Sequence, residues 1–204
     1  MSSPRRTNVW RWVPRGRGCR RRHLLFWLTA VAMGWVLIGV GHPVALGQNS
    51  KPTEYEVKAT YLYKFGRFVE WPAKAESEFF SICVLGQDPF GPALNAIIAN
   101  ETIAGKSVVA KRIPAPQDAV NCRVLFIGSS ENTQLKQILT TLRDTSVLTV
   151  SDLPEFTQHG GMVQFISEGG RVRFEVNLAT AERAGLTLSS ELLKVAINVR
   201  RNAR

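Results

Sequence analysis

"CRVLFIGSSENTQLKQILTTLRDTSVLTVSD", residues 122–152, is the stretch on which the fold turns. "CRVLFIG" is a short apolar run rich in β-formers and predicts a buried strand. Ser129 or Ser130 offers a helix cap, and "NTQLKQILTTLRD" then places Leu135, Ile138, Leu139 and Leu142 on one helical face. "SVLTVSD" is a second buried strand. Upstream the same alternation recurs. "FFSICVLG" (79–86) predicts a strand, and "DPFGPALNAIIAN" (88–100) a helix capped by Asp88 with Leu94, Ile97 and Ile98 inward. "KSVVAKRI" (106–113) is a strand with a polar side, followed by the proline-bearing loop "PAPQDAVN". Strand, helix, strand, strand, helix, strand is the rhythm of an α/β sheet with helices packed against it.

Beyond residue 160 the pattern changes. "GMVQFISEGGRVRFEVN" is two alternating runs joined at "SEGG", a β-hairpin with Val172, Phe174 and Val176 on one face and Arg171, Arg173 and Glu175 on the other. "LATAERAG" is a short helix ended by Gly185, and "SSELLKVAINVR" a last helix capped by Ser189. At the other end, "EYEVKATYLYKFGRFVEW" carries Val57, Tyr61, Phe65 and Phe68 or Val69 at helical spacing, with Lys58, Lys64 and Arg67 turned elsewhere; Pro72 stops it. The expected fold is α/β: a single three-layer domain over residues 54–199, about six strands flanked by about five helices, with the hairpin followed by helices.

The first 47 residues stand apart. They hold eight arginines and no acidic residue, and a basic segment leads into the apolar run "LLFWLTAVAMGWVLIGV" and the small residues Ala45 and Gly47. That three-part pattern is an export signal cleaved before Gln48; the alternative is a retained inner-membrane anchor. "RRHLLF" faintly resembles a twin-arginine signal. Residues 48–53 read as a flexible lead, and 200–204 as a basic, frayed tail. Without the signal, the formal charge of +10 falls to 18 basic against 16 acidic residues. No basic face remains for nucleic acid.

Cys83 and Cys122 are the even pair left after the signal, in an oxidising compartment where they form a disulfide or stay as two buried thiols. His159 is the one histidine of the exported part, too few ligands for a zinc site built on His and Cys. Ser151, Asp152 and His159 invite comparison with a hydrolase triad. Neighbours on a strand point to opposite faces, however, and no G-x-S-x-G elbow exists. Gly160 and Gly161 precede a strand, whereas a dinucleotide loop opens a helix. Positive φ at the start of that strand accounts for them better. No catalytic residue and no cofactor is expected.

Taken together, "EYEVKATYLYKFGRFVEWP", "ICVLGQDPFGPAL", "CRVLFIGSS", "LTVSDLPEFTQHGGMVQF" and "VRFEVNLATAERAGLTLSSELLKVA" resemble the YfiR family of exported bacterial regulators, in the same order from about residue 54 to 196. Cys83 and Cys122 match the position of a disulfide in that family; a second pair that some members carry near "EFTQHGGMV" is absent. The resemblance implies a periplasmic, non-enzymatic α/β protein that dimerises and represses a membrane-bound diguanylate cyclase through its periplasmic portion. An OmpA-like outer-membrane lipoprotein can sequester such a repressor. A rival reading is a small-ligand sensor domain like one lobe of a periplasmic binding protein. For docking, Phe156 and Glu155 on the "LPEFTQH" turn are the first candidates, an aromatic beside acids; Arg171 and Arg173 on the hairpin follow.

Overall fold

The computed structural model describes residues 51–73 and 77–201; the expected export signal, the first half of the lead and the last three residues of the tail lie outside the described residues. Asn49–Arg204 form one compact unit. Thr53 opens helix α1 (Glu54–Phe68) with a reciprocal cap, its hydroxyl accepting from Glu56 N–H while its own N–H donates to Glu56 Oε2 at 2.6 Å. The end of the lead is therefore tied down. The chain continues through β1 (Val69–Glu70), β2 (Phe79–Leu85), α2 (Pro92–Ile98), β3 (Thr102–Ile103) and β4 (Lys106–Ile113). A 3-10 helix over Pro116–Asn121 replaces the expected loop, and β5 (Val124–Ile127) follows. A second 3-10 turn, Ser129–Gln134, runs directly into α3 (Leu135–Thr141). Then come β6 (Leu148–Ser151), β7 (Val163–Glu168), β8 (Arg171–Asn177), α4 (Leu178–Arg183), β9 (Thr187–Leu188), α5 (Ser190–Val195) and β10 (Asn198–Arg200).

Eight strands make one sheet in the order β10-β8-β7-β6-β5-β2-β4-β3, and β1 pairs with β9 in a separate two-stranded ribbon. The five central strands, β4-β2-β5-β6-β7, are parallel. Numbered by their own sequence, they run 2-1-3-4-5, the flavodoxin-like order, with the switch point between β2 and β5. β7 and β8 close the expected hairpin, and β10 returns parallel to β8.

Parallel strands covered on both faces need apolar residues at successive positions. Here the alternation feeds two cores. Ile82, Val84, Val124, Phe126, Leu148 and Val150 face α1, α2, α4 and α5. Cys83, Leu85, Leu125 and Ile127 face Leu135, Ile138 and Leu142 of the α3 layer. This is the expected three-layer α/β arrangement.

Four local expectations give way to tertiary pairing. The first helix stops at Phe68 rather than at Pro72, because Val69 and Glu70 extend to pair with Leu188 and Thr187. Asp88 does not cap α2; its side chain accepts from Phe90 N–H and binds Arg112, while Gly91 holds the cap position. Neither Ser129 nor Ser130 caps α3, since the 3-10 turn intervenes. Ser189 does cap α5, but that helix ends at Val195, and Asn198–Arg200 join the sheet instead of continuing it or fraying.

Candidate functional site

The carboxyl ends of the parallel strands are where an α/β sheet ordinarily meets a ligand. At the switch point that crevice is occupied by the protein itself. Gln87 N–H donates to Ser130 Oγ at 2.9 Å, the Ser130 hydroxyl donates to Glu131 Oε1 at 2.8 Å, and Gly128 N–H donates to the Leu85 carbonyl at 2.9 Å. The two loops hold each other shut.

One strand further on, Ser151 is fully buried: its hydroxyl donates to the Ile127 carbonyl at 2.7 Å and accepts from Leu153 N–H at 3.1 Å. It brackets β5, β6 and the loop that follows. Asp152 turns the other way, toward α1. Its Oδ2 lies 2.7 Å from Lys58 Nζ and accepts from the Tyr55 hydroxyl at 3.2 Å. Lys58 also meets Glu54 Oε1 at 2.6 Å and stands 4.5 Å from the centre of the Tyr55 ring. His159 is exposed in the loop. The three residues of the apparent triad thus do not converge.

Lys58, expected to turn away from the apolar stripe, is instead 2 % exposed. Burial alone lowers its pKa, but hydrogen bonds to Asp152 and Glu54 outweigh that and hold it above the usual lysine value. Glu54 is lowered, first by its bond to Lys58 and then by the hydroxyl of Ser167. Tyr55 is raised by burial and by the charge of Asp152. The signal was present in the sequence: Lys58, Leu62 and Phe65 share one stripe at helical spacing, and all three are buried.

The loop between β6 and β7 packs down on the sheet. Phe156 is fully buried in the α3-side core, so it is not offered to a partner as expected for a docking anchor. A Cβ on Gly161 would overlap the Phe156 ring, and Gly160 has φ +101°, which together explain the glycine pair. Thr157 fixes the loop against the hairpin: its hydroxyl donates to Glu175, its N–H to Gln164, and its carbonyl accepts from Asn177. Glu155 is exposed at the tip with φ +58°. Arg171 and Arg173 are exposed on the hairpin, where they pair in register with Glu168 and Ile166. Among the described residues no group of three or more His, Cys, Asp or Glu could hold a metal ion, and no helix is long and apolar enough to cross a membrane.

A family model described as YfiR/HmsC-like matches residues 55–197. The chain belongs to the YfiR/HmsC-like family. A solved structure, that of a conserved domain protein from Vibrio cholerae O1 biovar El Tor str. N16961, is similar with a TM-score of 0.53 and 12% identity. The likeness covers 74% of this chain and 62% of that one, and at this identity it bears on the fold alone. The YfiR/HmsC-like match runs from the second residue of α1 through α5, so Lys58, Asp152 and the loop of Phe156 lie inside it and Glu54 just outside. Cys83 and Cys122 form a disulfide in this YfiR/HmsC-like fold, with Cα atoms 6.0 Å apart.

Proposed function

We propose that this protein is a non-enzymatic regulator that works in the periplasm and represses a membrane-bound diguanylate cyclase by binding its periplasmic sensor portion. The observation that carries the reading is the internal use of the chemistry-bearing side chains within a YfiR/HmsC-like fold. Ser151 and Asp152 are engaged in structural bonds, and the switch-point crevice is filled. What remains outward is a surface suited to protein contact. Glu155, Arg171 and Arg173 on the loop and hairpin are its docking candidates, with Phe156 beneath as support. Repression is then a binding equilibrium, relieved when a competitor such as an OmpA-like outer-membrane lipoprotein takes the regulator away. The regulator acts as a homodimer.

The test is capture of the periplasmic domain of a co-resident membrane diguanylate cyclase by the purified protein, with cellular cyclic-di-GMP measured after gene deletion. Capture, and a rise in cyclic-di-GMP, are expected; reversing both arginines to glutamate should weaken capture about tenfold or more without loss of fold. No capture together with unchanged cyclic-di-GMP would sink the proposal.

A further inference from the structure

A groove of about 600 Å³ opens near the amino ends of β2, β4 and β5, the edge opposite the closed switch point. Its apolar lining includes Trp71, Phe80 and Ile103, and Trp71 stands edge-on to Phe80 with ring centres 5.3 Å apart. Arg67, Lys106 and Arg123 also line it. Two nitrogens of its lining residues, Trp71 Nε1 and Arg123 Nη1, are shut off from solvent and have no hydrogen-bond partner. Both can only donate. Buried donors left unmade are rare and costly, and two beside one groove are what an acceptor from outside would relieve.

The charge agrees in sign. Among the described residues neither Lys106 nor Arg123 forms an ion pair with a carboxylate, and Glu70 is the single acidic residue lining the groove against three cations. The volume is that of a small-molecule site. We propose that the groove binds a small organic monoanion. Its carboxylate accepts from the Trp71 indole and the Arg123 guanidinium after a small turn of each side chain opens these now solvent-shut donors to the groove, Lys106 adds charge, and an apolar body lies against Phe80 and Ile103. A planar guanidinium suits a carboxylate, and the apolar walls suit an organic body that inorganic phosphate lacks. This site is independent of the cyclase reading: failure of partner capture leaves it standing, and its own failure leaves repression standing.

Benzoate, its neutral amide and inorganic phosphate are the probes. The readout is the indole N–H resonance of Trp71 in the whole 15N-labelled chain, assigned by its loss in Trp71→Phe. Benzoate should move that resonance saturably, while benzamide and phosphate leave it in place. Arg123→Met should weaken benzoate about tenfold or more. Lys106→Gln, at the half-buried start of β4, should weaken it less and serves if Arg123→Met does not fold. A resonance that stays put at millimolar benzoate, an equal response to benzamide or phosphate, or unchanged affinity in both variants would overturn the proposal.

Discussion

Lys58 carries a positive charge into the interior because two carboxylates and a tyrosine meet it there. Removing the ammonium in Lys58→Met leaves Asp152 facing α1 without its partner. The expected cost is about 3 kcal/mol, the low end for breaking a buried pair because water still reaches part of Asp152. The pH dependence follows from the two shifts. Lys58 is raised, so its contribution is fully present below the ordinary lysine value of about 10.4 and is lost as pH rises through the folded value. Glu54 is lowered, so its contribution is present above about 4.3 and is lost as pH falls through the folded value. Urea titrations of both proteins across pH should show a gap that is flat near neutrality and narrows at both ends. A gap that widens in alkali would contradict the assignment. Lys58 was misplaced from sequence because lysine is almost never buried unpaired, and its partner lies 94 residues away.

At the scale of elements, the connection from β6 to parallel β7 is unusual in having no α-helix to cover it. Phe156 does that work instead, filling the space under the loop. Phe156→Ala should therefore cost about 3–5 kcal/mol in denaturant unfolding. A variant of native stability that merely lost a partner would restore the docking reading. The sequence made this residue look outward because its neighbours, Glu155, Gln158 and His159, are polar and exposed. Strands β2, β4, β5 and β6 were legible as bounded apolar or alternating runs, and the hairpin by its alternation about the Gly169-Gly170 turn. Strands β1, β9 and β10 were not, since two or three residues have no period and exist only through their distant partners. The groove of Trp71 and Arg123 was invisible for the same reason: 52 positions apart in sequence, they share a wall only once the sheet has formed.

For the molecule as a whole, the disulfide encloses the end of β2, α2, β3, β4 and the 3-10 helix Pro116–Asn121 between cysteines 39 residues apart. In the chain-entropy description a loop of that length stabilises the fold by about 4 kcal/mol. Replacing both cysteines by alanine should lower unfolding free energy by roughly that amount, read from denaturant midpoints; a change under about 1 kcal/mol would show the bond to be incidental. The three-layer class was readable because each layer leaves its own period in the chain, whereas the strand order, set by long-range pairing, was not. One arrangement bears on how the protein comes into being. Helix α1 is synthesised first, yet Phe65 stacks on Phe165 and meets Phe174 edge-on, and Lys58 waits for Asp152. The first described helix to emerge is thus among the last to complete its packing. Until the final third of the chain arrives it has α2 on one side but neither β7 nor β8 on the other, so a chaperone that shields residues 54–68 would protect the nascent protein while that side is bare.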